Sequence, residues 1–122
     1  MPSLHRNYVR TYRRRSSLAQ QDLAFLLGSR DKARVCHYER GFRIPSLRTA
    51  LALATILGIS VSILFSGVQR EVYKDVADRI ARLHAHIQHK YGTSHVPSVV
   101  SRRLRWLENH PIRADENLHR QA

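Results

Sequence analysis

The chain has 122 residues, which is enough for one domain with a small appendage and excludes a large multidomain enzyme. It carries 21 Lys and Arg residues against 9 acidic residues, for a formal net charge of +12, and 43% of its residues are hydrophobic. That hydrophobic fraction is sufficient for a packed core, so we expect a folded protein with a negatively charged partner.

The first 67 residues divide into five short segments with helical spacing, and none shows the alternation of a strand. The spaced residues are Val9, Tyr12 and Ser16 in the first segment, Leu18, Leu23, Ala24 and Leu27 in the second, Val35 and Tyr38 in the third, Leu47, Ala50, Leu51, Ala54 and Leu57 in the fourth, and Val61 to Phe65 in the fifth. The expected helix ends are Gly28, Gly41, Gly58 and Gly67, and the expected starts are Asp31, Pro45-Ser46 and Ser60. The pattern predicts an all-α domain.

The second half has a different texture, with no glycine or proline between Gln69 and Tyr91. Its apolar residues recur every three or four positions, at Val72, Val76, Ile80, Leu83, Ile87 and Tyr91. This spacing predicts one long amphipathic helix of about six turns. After a turn that contains Pro97, a further short helix is expected to end at His110-Pro111, and the polar segment 111–122 is expected to be a disordered tail.

Several short motifs in the first half occur in the order and spacing of a known family. They are Leu18-Ala19-Gln20-Gln21-Asp22-Leu23-Ala24, Gly28, Val35, Tyr38-Glu39-Arg40-Gly41, Pro45-Ser46-Leu47, Leu57-Gly58-Ile59-Ser60 and Leu64-Phe65. With these motifs, residues 8–66 resemble the Cro/phage-repressor-like helix-turn-helix family of bacterial regulators, of the xenobiotic-response-element type. The resemblance implies a five-helix, lambda-repressor-like domain at residues 1–67 whose third helix enters the DNA major groove.

The resemblance also implies roles for individual residues. The positions that face base edges are Lys32, Ala33, Arg34 and His37. The positions that contact DNA phosphates are Gln20, Arg40 and Arg43. A phosphate role for the arginine cluster 13–15 is not assigned by the resemblance, and the cluster forms either a solvated face or a phosphate contact, with Arg14 as the phosphate candidate. Arg13 and Glu39 match a pair that is often joined by a partly buried salt bridge. The chemistry of the residues agrees with these roles, because Arg and Lys can bond bidentately to guanine and the remaining arginines can bind phosphate.

Three departures from the family pattern are visible. Ala19 replaces the usual Ser or Thr cap of the second helix, which forfeits about 1 kcal/mol. The segment 29–34 is one residue longer than the common pattern, so the turn before the third helix is expected to bulge. Apolar residues, Phe25, Leu26 and Ile63, replace charged or polar ones, which indicates extra apolar surface of the kind that marks an interface.

The apolar stripe of the long helix requires a covering partner. It is expected to pack on the extra apolar surface of the first domain, to pair with its copy in a second chain, or to do both. Binding to a membrane surface is a third reading, although the stripe has aliphatic residues and Tyr91 where an interfacial helix has larger aromatics.

Other reactive residues have simpler interpretations. His84, His86 and His89 lie at offsets of 2 and 5 from the first, which spread their rings around a helix, so no metal site is predicted. Cys36 is expected to be a small buried or half-buried residue, because no orienting acid stands at a matching offset for a nucleophile. Trp106 is expected to anchor the last helix in a core and not to serve as a base-stacking platform.

These observations predict a bacterial or phage-type transcriptional regulator that binds specific double-stranded DNA, has no enzymatic activity and uses no cofactor. A homodimer would place two recognition helices about 34 Å apart on adjacent half-sites. The alternative is an antitoxin-like or adaptor protein whose helical extension, residues 68–110, binds a protein partner, with DNA binding for autoregulation. The single cysteine and the lack of a secretion signal or spanning segment favour a cytoplasmic, nucleoid-associated protein with no membrane partner.

Overall fold

The computed structural model describes residues 6–92 and 95–113, in which the regular secondary structure is helical and no strand occurs. The helices are α1 (Val9–Arg15), α2 (Gln20–Leu26), α3 (Lys32–Glu39), α4 (Leu47–Leu57), α5 (Val61–Leu64), α6 (Ser66–Tyr91) and α7 (Ser98–Glu108). The predicted all-α fold, with five short helices followed by a long and a short one, is confirmed. The chain divides into two compact units, Met1–Glu71 and Val72–Ala122.

The core of the first unit draws on all five short helices. Its buried apolar residues are Val9, Leu23, Ala24, Val35, Ala50, Leu53, Leu64 and Phe65. Full burial of one leucine or valine side chain contributes roughly 1.5–3 kcal/mol, so this cluster supplies much of the stability of the unit. Because α3 enters the core through Val35, the opposite face of that helix is turned toward solvent.

Glycines end both helices of the helix-turn-helix pair. Gly28 has φ of 78° and donates its N–H to the carbonyl oxygen of Phe25, while the N–H of Ser29 donates to the carbonyl oxygen of Ala24, both at 2.9 Å. Gly41, with φ of 74°, closes α3 in the same left-handed conformation. A side chain with a Cβ is strained at such a position, so these glycines fix where α2 and α3 stop.

The lengthened turn before α3 is held by side-chain hydrogen bonds. Ser29 Oγ accepts from the N–H of Asp31 at 3.1 Å, and Asp31 Oδ1 accepts from the N–H of Ala33 at 2.9 Å. Asp31 is therefore the N-cap of α3, as its position in the sequence predicts. At the start of α2, Ala19 offers no side-chain acceptor, but Asp22 Oδ2 accepts from the N–H of Ala19 at 2.8 Å. This bond is one half of a capping box and offsets part of the missing cap.

The prediction that Gly67 ends the fifth helix is wrong. α5 ends at Leu64, and α6 already begins at Ser66, so Gly67 lies inside the long helix. Its N–H donates to the carbonyl oxygen of Arg6 at 3.1 Å, and a Cβ built at Gly67 would lie 2.6 Å from that oxygen. The glycine is needed because two stretches of backbone approach closely, and not because the chain turns.

The second unit has its own apolar core between α6 and α7. The buried residues are Ala77, Ile80, Ile87, Val100, Leu107 and Ile112, with Tyr73, Val76, Tyr91, Val96 and Leu104 packed around them. Part of the α6 stripe is thus covered by α7, a partner that the sequence analysis did not name. Ile112 is only 9% exposed, so packing continues past the predicted end at residue 110. Residues 114–122, the rest of the predicted tail, lie outside the described residues.

The prediction that Trp106 anchors a core is also wrong, because its side chain is 61% exposed. The residues of α7 that face the core are Val100, Leu104 and Leu107, at spacings of four and three. Trp106 is adjacent to Leu107 and therefore points about 100° away from it around the helix. Its ring instead meets the ring of His110 edge to face, with the centroids 5.1 Å apart.

Candidate nucleic-acid interface

The residues expected to face DNA bases all lie on the exposed side of α3. They are Lys32, Ala33, Arg34 and His37. On the other side of the same helix, Val35 and Tyr38 are buried, with exposures of 1% and 7%. In addition, the main-chain carbonyl oxygen of Tyr38 accepts from the side-chain amide of Asn7 at 2.7 Å. α3 is therefore fixed on its inner face while its polar face stays accessible, which is the arrangement that a groove-reading helix requires.

A buried ionic centre joins α1, α2 and the end of α3. Glu39 Oε1 accepts from Arg13 Nε, and Glu39 Oε2 accepts from Gln20 Nε2 at 2.8 Å. The guanidinium of Arg13 also donates through Nη1 to the carbonyl oxygen of Leu18 at 2.8 Å. The two charged side chains are 10% and 3% exposed for Arg13 and Glu39. Each charge has a partner of opposite sign and further hydrogen bonds, which a charge removed from water requires.

The side chain of Gln20 has a structural contact within this ionic centre. The resemblance to repressors implies that its side chain holds a DNA phosphate, but its Nε2 donates to Glu39 and the residue is half-buried. In this conformation the side-chain amide orients α2 against α3. The contact between Gln20 and Glu39 is not visible from sequence spacing, because the two residues are 19 positions apart.

A basic groove lies beside α3 and brings most of the predicted phosphate contacts together. This groove has a volume of about 640 Å³ and is lined by Arg10, Arg13, Arg14, Ala19, Gln20, Gln21, Lys32, Cys36, Glu39 and Arg40. Three helices contribute to it, and the one acid among its described lining residues, Glu39, is neutralised by Arg13. The groove therefore presents positive charge next to the accessible face of α3, which favours phosphate oxygens.

The predicted site residues do not all face this groove. Lys32 and Arg40 line it, whereas Ala33, Arg34 and His37 do not. Residues that are four or eight apart share one side of a helix, so Lys32 and Arg40 lie on one edge of the exposed face. The other three predicted base-facing residues form the outer part of that face. Lys32 is thus placed between the groove and the outer face.

The remaining predicted phosphate contact, Arg43, lies in the loop between α3 and α4 and is exposed. Its neighbour Phe42 is 54% exposed and meets the ring of His37 at a centroid distance of 6.4 Å. This ring contact holds the end of the base-facing set near the loop. Arg43 therefore sits at the C-terminal margin of the α3 surface, outside the basic groove.

Sequence reasoning missed Arg10. It lines the basic groove together with Arg14, and the two residues are one helical turn apart on α1. That spacing of four is the signal that could have found it, because it places both guanidinium groups on the same side of the helix. Arg15 has a different environment, with its guanidinium carbon 5.2 Å from the centre of the Tyr12 ring.

The residues with open chemical interpretations are placed as follows. Cys36 is half-buried and lines the basic groove, without an acid or histidine bonded to it in the described contacts. His84 Nε2 lies 2.9 Å from Glu108 Oε1 inside the second unit. The predicted extra apolar surface is present, since Phe25, Leu26 and Ile63 are 79%, 51% and 49% exposed.

Comparison with known proteins places this geometry in a family. A family model with the description "Helix-turn-helix" matches residues 9–64, from the first residue of α1 to the last residue of α5. No curated protein and no solved structure gives a match. Among residues 6–92 and 95–113, no helix combines the length and the apolar character needed to cross a bilayer. Residues 9–64 therefore form a DNA-binding helix-turn-helix domain of the Cro/phage-repressor-like, xenobiotic-response-element type.

Proposed function

We propose that this chain recognises specific sequences in double-stranded DNA and regulates transcription by occupying them. The observation that carries the proposal is the fixed orientation of α3. Val35 and Tyr38 anchor its inner face, and the Asp31 cap and Gly41 define its ends. A helix whose backbone is fixed in this way can enter the major groove without first losing backbone freedom, which lowers the cost of binding.

The base-facing residues supply a mixed set of donors. Arg34 is exposed on the outer face and can bond to both O6 and N7 of one guanine, which is worth about 1–3 kcal/mol of discrimination. His37 can donate one hydrogen bond to the same acceptors, and Ala33 leaves room for a thymine methyl group. Lys32, at the edge of the basic groove, can reach either a base edge or a phosphate.

The phosphate contacts follow from the basic groove and the loop after α3. Arg10, Arg14 and Arg40 line the groove, and Arg43 is exposed at the margin of the α3 surface. Together these four arginines would bind the backbone on either side of the bases that α3 reads. Each neutralised phosphate releases counterions, so affinity should fall steeply as salt is raised.

We also infer that two copies bind one operator. Exposed apolar side chains support this inference, namely Phe25, Leu26 and Ile63 in the first unit and Val72 and Leu83 in the second. Two recognition helices would then read half-sites about 34 Å apart, so the operator should be pseudo-palindromic. A footprint half as long would contradict the dimer. A different protein recovered in stoichiometric amount with the purified chain would instead favour the antitoxin-like or adaptor role for residues 68–110.

The proposed function is tested by selecting bound sequences from a random duplex pool and measuring the mass of the complex in solution. We expect one enriched motif with two related halves and two chains per duplex. Selection should be carried out at moderate salt, because low salt strengthens the phosphate contacts that carry no sequence information. A pool that stays random at moderate salt would refute sequence-specific recognition.

A further inference from the structure

An exposed tryptophan and two arginines meet on one side of α7. They line a cavity of about 420 Å³ formed by Arg102, Arg105, Trp106, Asn109, His110 and Pro111. Arg102 and Trp106 are one turn apart, and so are Arg105 and Asn109, so each pair lies on a shared side of the helix. The rings of His110 and Trp106 pack against each other edge to face, with the centroids 5.1 Å apart. The cavity is within the size range of sites for small ligands or single residues of a polymer.

The charge of this surface restricts what it can bind. Among the lining residues that the structure describes, the cavity has two arginines and no acidic residue. The one acid of α7, Glu108, accepts a hydrogen bond at Oε1 from His84 Nε2 at 2.9 Å and does not line the cavity. A second copy that docks through the same surface is a poor occupant, because it would bring its own arginines against these. The positive charge of this surface favours a negatively charged partner.

The indole restricts the partner further. Trp106 is 61% exposed, although a tryptophan side chain gains a large free energy when its ring is covered. A partner that is only acidic would use the arginines and leave the ring in water. A nucleotide satisfies both groups, since its phosphate pairs with a guanidinium and its base stacks on the ring. Bases in a duplex already stack on one another, so the fitting partner is an unpaired strand.

We propose that the surface of Arg102, Arg105 and Trp106 is a second nucleic-acid site, which binds single-stranded DNA. One base stacks on Trp106, and the flanking phosphates bind Arg102 and Arg105. This site is separate from the duplex-reading face of α3 and extends the proposed function. Because both units belong to one chain, DNA bound by the helix-turn-helix domain raises the effective concentration of any nearby unpaired strand around the second unit.

The chain offers a direct reporter, because Trp106 is its single tryptophan. The full chain is titrated with a 12-nucleotide oligothymidine while the tryptophan emission is recorded. We expect saturable quenching, since stacking of a base on the indole changes its emission. Poly-glutamate of matched charge and a blunt duplex that lacks the operator serve as comparison ligands and should quench little. Equal quenching by poly-glutamate would show an acidic-protein surface and would overturn the proposal.

Variants separate stacking from charge, with binding measured by the anisotropy of a labelled oligothymidine. Trp106→Leu should weaken binding by about 5- to 150-fold, and Trp106→Phe should restore most of the affinity because it keeps an aromatic face. Arg102→Gln should lower the slope of log K against log salt by about 0.7. Arg103→Gln is the matched control, because Arg103 is exposed on the same helix but does not line the cavity.

Binding of the selected duplex operator is measured on the same variants. Trp106→Leu should leave it unchanged, so a failure of this proposal is distinguishable from a failure of duplex recognition. Oligothymidine binding without quenching, or an equal affinity of Trp106→Leu and the parent chain, would place any single-strand contact elsewhere and reject the site.

Discussion

Each of the two units of this chain is stabilised internally by a different kind of interaction. In the first unit, Arg13, Gln20 and Glu39 come from three helices and meet at one buried carboxylate. In the second unit, α6 and α7 meet mainly through apolar residues, with one polar contact between them, 2.9 Å from His84 Nε2 to Glu108 Oε1. The ion pair between Arg82 and Asp78 lies within α6 and is exposed, at 78% and 58%. In addition to its apolar core, the unit that presents the DNA-binding helix therefore depends on particular polar partners far apart in sequence, whereas the second unit depends mainly on a repeating apolar pattern.

The most direct test of this difference between the two units is to remove the buried carboxylate of Glu39. Glu39→Ala should lower the free energy of unfolding of the first unit by about 3–5 kcal/mol, because it leaves the Arg13 guanidinium buried without its counter-ion. The measurement is urea unfolding followed by circular dichroism. Asp78→Ala is the matched control from the exposed i,i+4 pair and should cost about 0.5 kcal/mol or less. Equal losses in the two variants would show that the ionic centre does not stabilise the first unit.

The second unit should instead respond to a cavity. Leu107 is 1% exposed, and Leu107→Ala should cost about 2–4 kcal/mol through lost burial and the space left behind. Leu83→Ala on α6 is the control, since Leu83 is 45% exposed and its truncation should cost far less. Thermal unfolding of both variants compares them, and a small effect at Leu107 would mean that the core between α6 and α7 is not tightly packed.

Two arginine variants separate base reading from phosphate binding in the first unit. Arg34→Ala should lose about 1–3 kcal/mol of discrimination at one base pair of the operator. Arg43→Ala should weaken binding to all sequences alike and reduce the salt slope by about one. Competition binding with single-base operator variants at two salt concentrations distinguishes the two. Equal losses on operator and random DNA for Arg34→Ala would contradict its assignment.

The smallest expected effect is a gain in stability at the end of α1. Ser17 has a φ of 59°, in the left-handed region that glycine adopts more easily than a residue with a side chain. Its N–H donates to the carbonyl oxygen of Arg14 at 3.0 Å. Ser17→Gly should raise the free energy of unfolding by about 0.5–1 kcal/mol, because the left-handed conformation costs a non-glycine residue more than glycine loses in chain entropy. Ser16→Gly, at a right-handed position, should not stabilise the protein. A rise in melting temperature for both variants would refute this explanation.

Local signals predicted much of the fold. Gly28 ends α2, and Asp31 and Gly41 set the bounds of α3, through bonds to neighbouring residues that can be inferred from short motifs. The contact of Gly67 with Arg6 could not be inferred, because it joins residues that are far apart in sequence. Trp106 was misassigned because its size was given more weight than its place in the helical period, which the sequence does show.

The candidate site was predicted less completely. The exposure of the α3 residues follows from the helical period once Val35 and Tyr38 are taken as the inner face. The interaction of Gln20 with Glu39 depends on how α2 crosses α3, which no local pattern specifies. Arg10 lines the groove together with Arg14, four residues later on α1. This spacing is visible in the sequence, but it was not used to predict Arg10 as a phosphate contact.

The close contact between Gly67 and Arg6 has a practical consequence. Tyr8 also donates its N–H to the carbonyl oxygen of Leu64, at 2.8 Å. Two backbone hydrogen bonds therefore join the segment that precedes α1 to the junction of α5 and α6. Affinity tags should therefore be joined ahead of Arg6 through a flexible spacer. A protein trimmed to start at Val9 would lack both hydrogen bonds, and the beginning of the long helix would be less stable.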